Sequence, residues 1–251
     1  MDTMATRKVS VAGLILALAA IRAYSADTTS LPPYRGSAYD TERKAPAYVE
    51  EITEKYLGEK HVLTHTSFLG PDGKRMAERS LDFGRHDFKP DYIYRDFRNG
   101  YEEGAQVGAS DIRVHFRDSS KEPLKEKRIK VPEPCIINGG VGEFVKQRWA
   151  DIAAGKQVPF NMVIPARLDY FKFVAYVDRK YELTAAESKG RKYLPVIIEP
   201  KSTVLSMLLP TIVMYEDVGT KRLIHYQGIV NVADAKGRSL RVKTEYPVMG
   251  P

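Results

Sequence analysis

Apolar and polar residues alternate along most of this chain, and one segment breaks the rhythm. Between Pro134 and Gly155 the period lengthens: Val141, Val145, Trp149 and Ala153 recur every four residues, flanked by Phe144 and Ile152, with Lys146, Gln147 and Asp151 opposite. That spacing predicts an amphipathic helix over about 140–154. Asn138 or the Gly139-Gly140 pair can cap its start, Glu143 lies near the positive end of its dipole, and Gly155 suits the left-handed residue that ends it.

Elsewhere the period is two. Ile112, Val114 and Phe116 alternate with Arg113, His115 and Arg117, and Val158, Phe160, Met162 and Ile164 share one face. Phe171, Phe173, Ala175 and Val177 share another, with apolar residues on both sides, which places that strand centrally. Tyr48–Leu57 carries both spacings, and the turn at Gly58-Glu59-Lys60 into H-V-L-T-H-T-S-F decides for a strand. Further strands fall between short turns such as Pro71-Asp72-Gly73-Lys74 and Asp217-Val218-Gly219-Thr220. Lys201–Leu209 reads as a short apolar segment stopped by Pro210. The expectation is a mainly β protein of about ten strands. They would form a strongly curved antiparallel meander, a half-barrel or open barrel, with one central helix against its concave side.

The ends of the chain read differently. Arg7 and Lys8 precede an apolar run from Val11 to Ile21, and Ala23-Tyr24-Ser25 supplies small residues for cleavage between Ser25 and Ala26. Residues 1–25 therefore read as a signal peptide, which places the mature protein in the periplasm with no transmembrane segment. Residues 26–46, polar and rich in Pro, Ser and Thr, read as a flexible lead-in, and 47–248 as a single β-rich domain. The net charge of +7 is spread among acids and bases, which fits simple solubility. Cys135 is the only cysteine, so no intrachain disulfide forms, and its apolar neighbours predict burial as a small hydrophobe.

Motifs for chemistry are sparse. No phosphate-binding glycine loop, G-x-S-x-G or H-E-x-x-H occurs. Gly139-Gly140 opens a helix, where an anion can bind, but a flexible helix entry explains the pair as well. His61 and His65 share one side of a strand, about 13 Å apart at 3.3 Å per residue, too far to share an ion unless the strand bulges. The densest polar cluster holds Arg85, His86, Asp87, Asp96 and Arg98 among aromatics; it would suit a glycan or phospho-group, or form salt-bridged strand faces. No catalytic residue, metal ligand or cofactor is assigned, and nucleic acid is not an expected partner.

Several phrases together resemble a family of uncharacterised exported proteins of Gram-negative bacteria. They are Y-V-E-E-I-T-E-K-Y, G-P-D-G-K-R-M-A-E-R-S-L-D-F, P-C-I-I-N-G-G-V-G-E-F-V, V-P-F-N-M-V-I-P-A-R-L-D-Y-F-K-F and Y-E-D-V-G-T-K-R-L-I-H-Y-Q-G-I-V-N-V-A-D, across residues 47–248. That family transfers no catalytic residue. The strand rhythm and single helix are also similar to periplasmic lipoprotein-carrier half-barrels, a likeness that implies an apolar cavity. On this reading the protein holds a lipid or another apolar small molecule. Phe144, Val145, Trp149 and Ile152 would line the cavity from the helix, and Phe160, Met162, Phe171 and Phe173 from the sheet. The alternative is a structural or interaction protein of the cell envelope with a filled core and an envelope protein as partner. A hydrolase or lyase using the Arg85–Arg98 region stands third.

Overall fold

The structure is a computed structural model; it describes residues 28–202, 211–234 and 236–247. The signal-peptide reading of residues 1–25 and most of the Lys201–Leu209 segment lie outside the described residues. Among the described residues, sixteen strands join in one open sheet. Its middle is built where the two ends of the chain meet: β2 (Tyr34–Asp40) pairs antiparallel with β16 (Ser239–Glu245) on one side and β3 (Ala45–Leu57) on the other.

From that junction the ladder runs outward in two arms. One follows the sequence through β4 (Lys60–Leu69), β5 (Arg75–Asp82), β6 (Asp91–Asp96), β7 (Tyr101–Val107) and β8 (Ile112–Arg117) to β9 (Lys125–Ile129). The other runs backward through β15 (Leu223–Ala233), β14 (Ile212–Asp217), β13 (Tyr193–Pro200), β12 (Asp169–Val177) and β11 (Val158–Ile164) to β10 (Cys135–Ile137). The two edge strands, β9 and β10, are neighbours in sequence, joined through residues 130–134. The hydrogen-bonded ladder does not close there. Side chains close it instead: Ile129, Val114 and Val107 share an apolar cluster with Cys135, Ile137 and Val163.

Strict alternation explains the curl. In β4 the residues alternate between buried and half-buried along the strand, so one face is committed to the interior. The outer face carries an apolar cluster over β13–β15, where Leu183 and Tyr181 pack with Ile197, Val213, Tyr215 and Ile224. β13 and β14 are buried on both sides.

The helical segment lies on the concave side. It is divided at Arg148 (φ −97°, ψ 16°) into α1 (Val141–Gln147) and α2 (Trp149–Ala153), rather than running unbroken over 140–154. Phe144, Val145 and Ile152 pack with Val158, Phe160, Phe173, Ala175, Val196 and Met214 into one core. Gly140 is the N-cap, without a side-chain cap bond. A Cβ there would stand 2.2 Å from the Phe88 carbonyl oxygen, so close packing at the helix entry explains the glycine.

Three expectations need correction. Residues 28–40 are not a flexible lead-in: they form β1 (Thr28–Ser30), which pairs with β3, and β2 at the centre of the sheet. The inward face of β2 is Gly36, Ala38 and Asp40, too small and polar to produce an apolar alternation. The meander is not wholly antiparallel, because β10 runs parallel to β11. The strand count exceeds ten because β1, β2, β7 and β10 carry no period-two apolar signal; β7 turns Glu103 inward, and β10 is three residues long.

Gly36 has a specific task. A Cβ at this position would fall 2.5 Å from Cε1 of Tyr246, whose ring lies flat on the strand. Gly36→Val is expected to destabilise the protein by about 1–3 kcal/mol through overpacking, read as a lower urea midpoint. Ser37→Ala, on the outer face, should leave the midpoint unchanged; equal midpoints for all three proteins would exclude this contact as a constraint.

Candidate functional site

Sheet and helix enclose a cavity of about 430 Å³. Its apolar walls are Ile52 and Leu81 from the first arm and Met162, Phe173, Ile198 and Met214 from the second. Two groups of polar side chains stand at its ends, one beside the helix and one deep against β3–β6.

At the helix end, Glu54 gathers three donors: Tyr34 Oη at 2.7 Å, Tyr56 Oη at 2.8 Å and Arg222 at 2.6 Å. Burial alone would raise its carboxyl; the bond from Tyr34, the Arg222 charge, His61 and the bond from Tyr56 outweigh it and hold the group low. A bulge between Lys55 and Tyr56 shifts the β3–β4 register. His61 there stacks on Tyr56 and places Nδ1 3.0 Å from Glu143 on α1. Lys146 also holds Glu143 at 2.8 Å, and these partners outweigh burial to bring its carboxyl to about 2. This end is the more open one, with the Lys146 and Arg222 side chains 33% and 24% exposed.

Glu216 on β14 lies between this charged ring and the core. It is 1% exposed, and its Oε1 has no hydrogen-bond partner. Burial pushes its carboxyl up to about 8, against the Lys146 charge and with the help of Glu143.

The deep end is built from one row across the sheet. Ile52, Thr66, Arg79, Tyr94 and Glu103 are successive register partners on β3–β7. Arg79 donates a long 3.3 Å bond to Thr66 Oγ1 and lies over the Phe68 ring at 5.6 Å. Tyr48 and Tyr94 meet the same ring edge-on at 5.6 and 5.8 Å. Glu50 accepts from Tyr246 Oη at 3.2 Å, and burial raises its carboxyl despite the Arg79 charge. Farther along, Glu103 accepts from Tyr92 and Tyr101 at 2.5 and 2.9 Å and from Asn231.

Of the eight residues assigned to a cavity from the sequence, Met162 and Phe173 stand on its wall. Phe144, Val145, Ile152 and Phe160 form the solid core between helix and sheet, and Trp149 and Phe171 pack against that core. Lys221 lies 5.9 Å over the Trp149 ring. The polar cluster of residues 85–98 is not one site. Arg85 pairs with Asp91, Asp87 with Lys60, and Arg98 with Asp96, at 2.5, 3.5 and 2.5 Å. Asp91 and Asp96 stand at opposite ends of β6, about 16 Å apart at 3.3 Å per residue. His86 belongs with the Arg85 group; burial and the neighbouring Lys89 and Arg85 charges lower its pKa. Cys135 is buried as expected, and burial raises its thiol to about 12.

The cavity's polar residues went unnoticed in the sequence because Glu50, Glu54, Arg79 and Glu216 sit at inward positions of strands whose charge suggested solvent. The available signal was parity: each shares a face with apolar neighbours two residues away. No family model, curated protein or solved structure matches the chain. Among the described residues, no helix is long and apolar enough to cross a membrane.

Glu216 yields a signed pH effect. Its folded pKa lies above the ordinary 4.5, so between about 4.5 and about 8 the folded protein holds a proton that the unfolded chain has lost. This contribution makes stability fall as pH rises through that window, by an amount on the order of a few kcal/mol. Glu216→Gln should therefore raise Tm relative to the parent at pH 8.5 and much less at pH 4.5. A difference in Tm that stays flat across the window would show that Glu216 is ionised in the fold.

Proposed function

We propose that this is an exported periplasmic binding protein that holds a lipid or other apolar ligand between its curled sheet and the helix. The observation that carries the reading is the cavity of about 430 Å³, within the range of small-molecule sites and walled mostly by apolar side chains. A packed protein interior keeps few voids larger than a water molecule, so a space of this size is a feature of the fold rather than a packing defect. The polar residues at its two ends give it the character of a ligand site, with a few oriented groups on an apolar lining. The size suits one chain better than two. Export rests on the charged and apolar pattern of the first 25 residues, and so does the periplasmic location.

The test is native mass spectrometry of the mature protein from an exporting host, followed by organic extraction. A bound, releasable apolar species is expected. Met162→Trp puts an indole into the apolar stretch between the two polar ends and should abolish the bound species at a stability cost of about 1–3 kcal/mol, with folding checked by circular dichroism. A clean apo mass, with no uptake of offered fatty acid or phospholipid by the folded parent, would favour the envelope interaction protein instead.

A further inference from the structure

The deep end of the cavity carries a surplus of hydrogen-bond donors. Arg79 Nε, Tyr48 Oη and Tyr94 Oη are all buried and all without a partner. Tyr48 and Tyr94 are 3% and 1% exposed, and both line the cavity. The Arg79 guanidinium has one long bond, to Thr66 Oγ1 at 3.3 Å. It makes no salt bridge within 4.0 Å, although Glu50 is close enough to affect its charge. Tyr48 also lies beside Glu50, close enough to lower the Glu50 carboxyl as a donor does, though the tyrosine Oη falls short of hydrogen-bond geometry. All three residues pack around a single ring, Phe68, on the cavity wall.

Buried polar groups in folded proteins are nearly always paired, and an unpaired one costs about 1–3 kcal/mol. Three around one ring on a cavity wall mark a place suited to an acceptor. Several lone pairs on one small group would satisfy them all. A carboxylate has about four lone-pair sites and matches the fork of an arginine. Glu50 is engaged by Tyr246 and makes no salt bridge with the guanidinium within 4.0 Å, although its charge acts on Arg79. Burial raises its carboxyl, against the Arg79 charge and the neighbouring Tyr246 and Tyr48 hydroxyls.

We propose that Arg79, Tyr48 and Tyr94 form a head-group subsite for the carboxylate of a single-chain fatty acid, bound head-inward. The chain runs from Phe68 past Leu81 and Ile52 toward Phe173, Ile198 and Met214, and its methyl end meets α1. This rests on the reading of the cavity as an apolar-ligand site, and it specifies the ligand's class and direction.

The test compares palmitic acid with methyl palmitate, by titration calorimetry and native mass spectrometry, on three proteins. These are the parent, Arg79→Met/Glu50→Gln (which leaves no buried carboxylate alone) and Tyr48→Phe/Tyr94→Phe. Folding of each is checked by circular dichroism. The parent should bind the acid at least tenfold more tightly than the ester. The arginine variant should lose that preference, the acid weakening at least tenfold relative to the ester. The tyrosine pair should weaken the acid severalfold, and it decides the matter by itself if the arginine variant does not fold. Equal affinity for acid and ester in the parent, or an acid affinity that neither variant moves, overturns the head-group subsite and leaves the apolar site standing. Binding of neither compound to the folded parent overturns the apolar site as well.

Discussion

A sheet that curls on itself has one face with no solvent to turn to, and every side chain on it must be apolar, paired or adjacent to a cavity. The other features of this molecule follow from that constraint. The concave face here is too large for one short helical segment to cover. α1 and α2 fill only the part over β11–β14, where Phe144, Val145 and Ile152 meet Phe160, Ala175 and Val196. The rest of the face is either closed by the opposing arm or left as the cavity.

The strand order decides where the covering falls. Because β2 joins β16, the two ends of the chain are fixed at the centre of the sheet and the open seam lies mid-sequence, between β9 and β10. The helical segment begins four residues after β10 and is thereby delivered onto the concave side next to the seam. Its outer edge is fastened electrostatically. Glu143 takes bonds from His61 on the first arm and from Lys146 on its own helix, which ties the helix to β4 across the cavity end. The bulge at Lys55/Tyr56 shifts the β3–β4 register at the point where His61 makes this contact. A straight ladder would turn His61 to the opposite face from its neighbours Val62 and Thr64.

How far the sequence disclosed this depends on what each residue contributes to a pattern. Strands with large apolar residues on alternate positions, such as β4, β8, β11 and β16, were legible from their period alone, and so was the mainly β, curved and open architecture. The helix was legible because Val141, Val145 and Trp149 keep its period, although its division at Arg148 carries no local signal. β2 was not legible: Gly36, Ala38 and Asp40 are chosen for closeness to Tyr246 and to the Glu42–Arg43 turn, which Asp40 caps at 2.9 and 3.0 Å, and none adds hydrophobicity. The site was half legible. Met162 and Phe173 follow from alternation, whereas Arg79, Glu50 and Glu216 look like ordinary surface charges until the cross-strand register sets them inside. Register is long-range information, fixed by pairing, and a local pattern cannot supply it.

The cavity is also an energetic question. Extending the measured cost of core cavities, about 24 cal/mol per Å³, to a dry void of about 430 Å³ gives a penalty on the order of 10 kcal/mol. That rivals the whole stability of a typical domain, roughly 5–15 kcal/mol. A sealed void of that size would cancel most of that stability, whereas this space opens at the helix end. Water can relieve the polar ends, where Arg79, the tyrosines and Glu216 offer it partners, but the Met162–Ile198–Met214 wall offers none. An occupant with one polar end and one apolar length, as proposed above, would meet both demands together. The same asymmetry gives Glu216 its meaning. An unpaired buried carboxylate costs least when protonated, and it sits at the helix end, opposite Arg79. A head-inward amphiphile would bring its apolar tail, and no second charge, toward Glu216. On that proposal, Glu216 favours the head-inward orientation over its reverse.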